Sequence, residues 1–425
     1  MARANTGARR GSADAAPRSR ACWANLGRCG SGGAARVRTC SHPIRLRGWH
    51  ERIDADTGEL LSRVVTAREP GGVLLVACGD RRVASCPSCA EIYRRDAFQL
   101  VAAGVRGGKG VPEAVGEHPA LMVTLTAPSF GAVHTIRDRD GGCPCGGRHL
   151  PDDEALGAPV DPDRYGYLEQ ATWNHLAPML WKRTVQEIRR TLARELGVAR
   201  HRLRDVVRVR FVKASEFQRR GVVHYHAVIR LDGPVDVGSA PPSRCNAKLL
   251  EHIVRCSVES VEVSASGYCI CWGRQLEIVH LAQEDIGRAA GYIAKYATKA
   301  TEVAADGLLL PRLRTASDVV NLGAPPHAKR LVEAAWLIGG EKGLRGARRW
   351  AHQFGYGGHT LTKSHDYSVT FATLRGARAA WRSGRPSDAS GDFITRGQLA
   401  YAGRAPALWS SGEVGRNLER WRPES

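Results

Sequence analysis

Long apolar segments are missing from this chain, although 43% of its 425 residues are hydrophobic. No apolar run reaches membrane-spanning length, and residues 1–20, rich in Arg, Ala and Ser, lack the apolar core of a secretion signal. No stretch has the glycine, lysine and serine or threonine spacing of a Walker A loop. We therefore expect a cytoplasmic protein without a membrane partner and without NTPase or helicase activity of its own.

Acidic residues are few relative to basic ones, since 42 Asp and Glu stand against 62 Lys and Arg. The formal net charge is +20 and the isoelectric point is near 9.9. Such an excess of positive charge favours a polyanionic partner such as DNA, although it also aids solubility. The length allows two or three domains with a sizeable core.

Without a secretion signal, the twelve cysteines favour metal sites or free thiols over disulfides. The CPSC stretch has the spacing of a zinc knuckle, and four protein ligands would leave zinc no open position, which predicts a structural site. The four thiolates proposed for it are Cys40, Cys78, Cys86 and Cys89. Cys22 and Cys29 are alternatives for the first ligand.

Residues 221–232 read GVVHYHAVIRLD, and the apolar residues around the histidines are typical of a β-strand. Side chains alternate between the faces of a strand, so His224 and His226 point the same way. Two neighbouring imidazoles can hold a divalent metal ion. A preceding strand over residues 206–214 and a short link ending in Gly predict a hairpin that places Glu216 opposite the histidines as an oxygen ligand.

Residues 284–301 read EDIGRAAGYIAKYATKAT, and their Ala-rich composition, acidic start and late lysines predict a helix. Tyr292 and Tyr296 are four residues apart and therefore share one face. Lys295 and Lys299 repeat the same spacing. More ordinary explanations exist for both motifs, because a His-x-His pair is often only a polar strand face and paired tyrosines are commonly packing residues.

The order of the motifs resembles that of the HUH endonucleases, which start rolling-circle replication. In that superfamily a hydrophobic strand ending in threonines precedes a His-hydrophobe-His motif and a helix with Tyr-x-x-Lys. The corresponding pieces here are LMVTLTAP (121–128), HYH (224–226) and YIAKYATK (292–299). The chain also resembles the replication initiators of actinobacterial plasmids and integrative elements from about residue 40 to residue 371, for example in EFQRRGVVHYHAVIRLDG (216–233).

This resemblance implies an α+β fold, with a central antiparallel β-sheet flanked by helices and a small N-terminal zinc module. The implied reaction is a sequence-specific nick in one DNA strand at the origin, which leaves a 5′-phosphotyrosine link and a 3′-OH primer and is later rejoined. The implied partners are the double-stranded origin, the single-stranded nick site, and a host helicase, DNA polymerase and single-strand binding protein.

The resemblance also assigns roles to the motif residues. Mg²⁺ or Mn²⁺ would be held by His224, His226 and Glu216, with the catalytic set comprising Tyr296, Tyr292, Lys295 and Lys299. Single-tyrosine relatives have their nucleophile at the place of Tyr296 and a carboxylate at that of Tyr292. Tyr296 is therefore the first choice of nucleophile, and a two-tyrosine mechanism stays open.

Two other functions remain open. One is a related enzyme with another task, a conjugative relaxase or a single-strand transposase. The other is a non-catalytic, zinc-stabilised DNA-binding protein in which both motifs serve packing.

The domain division expected from the sequence has four parts. A disordered basic tail (1–35) precedes a cysteine-rich zinc module (36–112), a nicking domain (113–303) and a C-terminal region (304–425) that mixes aromatic and basic residues, as a DNA-contacting surface would, and ends in a weakly ordered tail.

A polar insertion over residues 137–163 contains Cys143, Cys145 and His149. Relatives complete a second Cys/His cluster here with cysteines shortly downstream. This chain has no cysteine at that place, so the sequence leaves open whether Cys143, Cys145 and His149 bind a second zinc ion.

Overall fold

The structure, a computed structural model, describes residues 37–136, 142–298, 310–382 and 393–405. The expected tail (1–35), with Cys22 and Cys29, lies outside these ranges. The strands are β1 (Ile44–Asp54), β2 (Leu60–Val65), β3 (Leu74–Val76), β4 (Ala120–Leu125), β5 (Arg208–Phe217), β6 (Val223–Asp232), β7 (Glu262–Ala265), β8 (Tyr268–Cys271), β9 (Leu276–His280), β10 (Leu361–Lys363) and β11 (Phe393–Arg404). The helices are α1 (Pro87–Arg106), α2 (Tyr167–Glu195), α3 (Ala247–Ser260), α4 (Ile286–Thr298), α5 (Ala316–Val320), α6 (Pro326–Ile338), α7 (Gly346–Arg349) and α8 (Phe371–Arg382).

A five-stranded antiparallel sheet in the order β10-β5-β6-β4-β9 forms the centre of the fold. Alternation along β6 divides its side chains between two apolar layers. Tyr225 and Ile229 pack into the layer that contains α2, α3 and α6, whereas Val228 packs into the layer that contains α1 and α4. The architecture is therefore α+β, with helices on both faces of an antiparallel sheet, as the sequence predicts.

Two element bounds differ from the sequence prediction where the candidate site lies. Val206 caps a 3₁₀ helix, and β5 starts at Arg208 and continues to Phe217, because its last residues still pair with β6. The hairpin turn is therefore shorter than expected. The tyrosine helix α4 begins at Ile286, after a 3₁₀ turn at Gln283–Asp285, and Lys299 lies outside the described residues.

Helix α2 shows how the apolar pattern determines packing. Its residues at helical spacing are buried against the sheet, namely Trp181, Val185, Ile188 and Leu192, with Leu196 just beyond its end. Pro178 is expected to end or kink the helix, and α2 does not end there but continues to Glu195. Burial on both sides of Pro178 offsets the one backbone hydrogen bond that proline removes. None of the described helices is both long and apolar enough to cross a membrane.

A second antiparallel sheet has β1 between β11 and β2, and β3 also pairs with β1. The division into domains stays a prediction, and packing is continuous across its boundaries at residues 112 and 303. Leu100 of α1 shares an apolar cluster with Ile293 of α4, and β10 from the C-terminal region completes the central sheet.

Candidate active site and metal centres

The two histidines of β6 lie side by side on the face of the sheet that α4 covers. His224 and His226 are two residues apart on the strand, and their ring centroids are 4.7 Å apart. His226 is only 1% exposed, whereas His224 is half-buried. Burial and, to a lesser degree, the neighbouring imidazole of His226 together lower the pKa of His224 to about 4. His224 is therefore neutral at neutral pH, the form in which imidazole binds a metal.

Glu216 joins the histidines from the neighbouring strand. It is the register partner of His224, and its Oε2 lies 3.3 Å from Nε2 of His226. The donor set consists of two imidazoles and one carboxylate. Mg²⁺ prefers oxygen ligands, whereas Mn²⁺ also accepts imidazole nitrogen, so the set fits Mn²⁺ better than Mg²⁺. Among the described residues, the clusters whose ligand atoms all lie within 4.8 Å of one another do not include this set.

Each histidine has a polar neighbour at its other ring nitrogen. Nδ1 of His226 is 3.3 Å from Oγ1 of Thr124, its register partner on β4, and Nδ1 of His224 is 3.4 Å from the side-chain nitrogen of Gln218. Such contacts at Nδ1 orient an imidazole so that Nε2 can bind a metal. The sequence analysis did not assign these two residues.

Helix α4 brings both tyrosines over the histidines. The ring of Tyr296 stacks on that of His226 with centroids 4.6 Å apart, and the Tyr292 ring meets the same imidazole edge-on at 4.8 Å. The opposite face of α4 is buried against α1 and the sheet, through residues such as Ala290 and Ile293, which fixes the orientation of the tyrosines. The structure therefore brings the two motifs to one place.

The two phenols differ in environment. Tyr292 is 41% exposed, whereas Tyr296 is partly buried. Burial, a hydrogen bond with Tyr292 and the negative charge of Glu216 raise the pKa of Tyr296 well above its ordinary value. Lys295 is exposed, with Nζ 5.8 Å from the centre of the Tyr296 ring. Positive charge beside Tyr296 would therefore be needed to favour its phenolate.

A separate cluster contains the four cysteines predicted to bind zinc. Their Sγ–Sγ separations are 3.6 Å for Cys78–Cys89, 3.8 Å for Cys89–Cys40 and 3.9 Å for Cys86–Cys40. Zn–S bonds of about 2.3 Å in a tetrahedron place sulfurs about 3.8 Å apart. The four thiols are not paired as disulfides, and all four sulfurs lie within 4.8 Å of one another. This geometry fits a structural zinc ion.

The cysteines and the histidine of the insertion also come together. Cys143, Cys145 and His149 lie beside His134, and the four ligand atoms are within 4.8 Å of one another. The sequence left the fourth ligand of this cluster unidentified, and His134 takes that place in the structure. His134 lies upstream of the insertion, whereas the relatives' additional cysteines lie downstream.

Comparisons with known proteins assign the chain to a family. A family described as "Replication initiator protein, pSAM2" (RepSA) matches residues 31–408. A protein from Streptomyces ambofaciens named "Replication initiator protein" is 41% identical over 359 residues, which are 81% of this chain and 78% of that protein. No solved structure gives a significant match. Because the family covers most of the chain, the protein belongs to the pSAM2-type replication initiator family.

Proposed function

We propose that this protein initiates rolling-circle replication of a plasmid or integrative element by nicking one DNA strand at the origin. The observation that carries the proposal is that the rings of Tyr292 and Tyr296 both pack on the imidazole of His226. The carboxylate of Glu216 lies 3.3 Å from the same imidazole. This arrangement supports a tyrosine nucleophile that acts next to a divalent-metal donor set, as in HUH endonucleases. Family membership and the net charge of +20 support a DNA substrate.

The chemistry is a transesterification. The phenol oxygen of Tyr296 forms a bond to phosphorus while the bond from phosphorus to the 3′ oxygen breaks, and the phenol proton ends on that departing oxygen. A Mg²⁺ or Mn²⁺ ion held by Glu216, His224 and His226 supplies polarisation of the scissile phosphate when bound. Lys295 adds positive charge on the exposed side of the phenol.

The products explain why such a nick starts replication. The 5′-phosphotyrosine keeps the energy of the phosphodiester, so the reverse reaction can rejoin the strand, and the free 3′-OH primes synthesis. Tyr292 would serve a second strand transfer, and the 4.5 Å between its ring centre and that of Tyr296 supports this role. The resemblance to rolling-circle initiators and the lack of a Walker A motif support a host helicase, DNA polymerase and single-strand binding protein as partners.

The test is a covalent-adduct assay with single-stranded DNA from the element's own origin, in Mn²⁺ and in EDTA. A metal-dependent shift on a denaturing gel is expected for the unaltered protein. It should be strongly reduced in Tyr296→Phe and abolished in Tyr292→Phe/Tyr296→Phe. Tyr401→Phe, which alters an exposed tyrosine on β11, serves as the matched control and should react normally.

Two results would count against the proposal. If Tyr296→Phe forms the adduct as fast as the unaltered protein, the nucleophile is Tyr292 and not Tyr296. Failure of the unaltered protein to form an adduct with a validated origin in any divalent metal would leave a non-catalytic DNA-binding protein as the better explanation.

A further inference from the structure

We propose that the insertion between β4 and α2 binds a second structural zinc ion through His134, Cys143, Cys145 and His149. The site goes beyond the nicking reaction, and its zinc content does not depend on that reaction. It differs from the four-cysteine cluster in ligand type and in position along the chain.

The separations of the ligand atoms are close to those in a zinc tetrahedron, the shortest being about 0.3 Å below the expected range. Zn–S bonds of about 2.3 Å and Zn–N bonds of about 2.0–2.1 Å place neighbouring ligand atoms about 3.3–3.8 Å apart. Nδ1 of His134 is 3.0 Å from Nε2 of His149 and 3.6 Å from Sγ of Cys143, and Sγ of Cys145 is 3.3 Å from the same His149 nitrogen. Two thiol sulfurs and two imidazole nitrogens thus surround one position, where the zinc ion would bind.

The surrounding groups are those expected of a structural zinc site. Nδ1 of His149 is 2.6 Å from Oδ2 of Asp153, so a carboxylate orients this imidazole with Nε2 toward the other ligands. The backbone N–H of Gly147 donates to Sγ of Cys145 at 3.3 Å, which stabilises a thiolate. Gly146 has a φ of +84°, which lets the chain turn between the cysteines and His149.

The backbone holds His134 in place independently of the cysteines. Its N–H donates to the carbonyl of Ala158, and its carbonyl accepts from Gly157, both at 2.9 Å. Residues on the two sides of the insertion are therefore tied together, and a metal ion would close the loop between them. This explains how the described residues 142–158, which include few apolar side chains, can keep one conformation.

The insertion also contacts the turn of the β5–β6 hairpin, which connects Glu216 to the histidines. The guanidinium of Arg219 in this turn donates to the carbonyl of Pro151 at 2.9 Å. A Cβ on Gly157 would come within 2.6 Å of the Arg219 backbone, so the two segments pack closely. Zinc at the insertion would therefore also steady the hairpin turn beside the candidate active site.

The test is the zinc content of the full-length protein, loaded with Zn²⁺ and freed of excess metal, measured by inductively coupled plasma mass spectrometry. His134→Asn and Cys145→Ser should each bind one zinc ion fewer per chain than the unaltered protein. Cys78→Ser should lose one ion from the four-cysteine cluster, and its combination with Cys145→Ser should lose two. Cys269→Ser, which removes an exposed thiol of β8, is the matched control and should lose none.

Cobalt replacement and a milder variant separate a lost ligand from a lost fold. In the Co²⁺ protein, Cys145→Ser should weaken the thiolate-to-cobalt absorption, and His134→Asn should shift the visible bands. Asp153→Asn, which keeps all four ligands, should bind zinc about 10–100-fold more weakly in competition with a chelator.

Amide hydrogen exchange measures the effect on the hairpin turn. Residues 218–222 should exchange more slowly in the unaltered protein than in His134→Asn. The proposal is overturned if Cys145→Ser and His134→Asn bind as much zinc as the unaltered protein with unchanged cobalt spectra. Equal exchange rates at residues 218–222 in both proteins would show that the metal site does not stabilise the hairpin turn.

Discussion

Lys213 is a buried cation directly behind the candidate site, and replacing it with methionine should stabilise the protein. It is on β5, three residues before Glu216, and its side chain enters the opposite apolar layer. Only 3% of it is exposed, with Nζ 3.1 Å from the carbonyl oxygen of His359 and 4.2 Å from the ring centre of Tyr225. Burial lowers the pKa of Lys213 to about 7.

The size of the effect follows from this shift. An unfolded lysine has a pKa of about 10.4, so between pH 7 and pH 10 the unfolded chain binds more protons than the folded protein, and stability rises with pH. At 1.36 kcal/mol per pKa unit, the penalty for Lys213 is on the order of 4 kcal/mol at pH 7 and about 2 kcal/mol at pH 9. Methionine removes the penalty but also one hydrogen bond, which is worth about 1 kcal/mol.

Lys213→Met should therefore raise the free energy of unfolding by roughly 3 kcal/mol at pH 7, and this gain should shrink by about 2 kcal/mol at pH 9. Urea denaturation at the two pH values measures both quantities. Lys182→Met, on the exposed face of α2, is the matched control and should change stability by less than about 0.5 kcal/mol at either pH. A destabilised Lys213→Met protein with the same difference at both pH values would refute the reasoning.

Two further predictions concern polar contacts on the α1 and α4 side of the sheet. Thr124→Val removes the hydroxyl beside Nδ1 of His226 and should weaken Mn²⁺ binding about 10–100-fold without unfolding the protein. Titration calorimetry measures the affinity, and circular dichroism checks the fold. Unchanged affinity would mean that this contact does not orient His226. Asp232→Asn should destabilise by about 3–5 kcal/mol in urea denaturation, because the fully buried Arg230 would lose the carboxylate that accepts its two hydrogen bonds of 2.6 and 2.7 Å. A loss below about 1 kcal/mol would show that this ion pair is dispensable.

Local patterns predicted the parts of the structure that depend on nearby residues. Alternation placed His224 and His226 on one face, the hairpin placed Glu216 across from them, and helical spacing placed the two tyrosines together. The CPSC spacing likewise placed Cys86 and Cys89 together. In each case a repeat of two or of about four residues, or a short loop, determines the geometry.

Contacts between distant segments were not predictable in this way. Alternation assigns a side chain to a face but does not tell which strand comes next to it, so Thr124 on β4 was missed as a neighbour of His226. The same applies to His134, whose position depends on how the insertion folds back. The burial of Lys213 depends on residues of the C-terminal region, which no local pattern connects to β5.

The pairing of β1 with β11 bears on how the chain is made. Its register joins Ile44 to Arg404, so one edge of β1 is completed by a strand that leaves the ribosome long after β1 itself. Until then β1 pairs only with β2 and β3, its other edge is open, and an open strand edge is a template for association with other chains. During synthesis the N-terminal sheet is therefore exposed to self-association until β11 has been made.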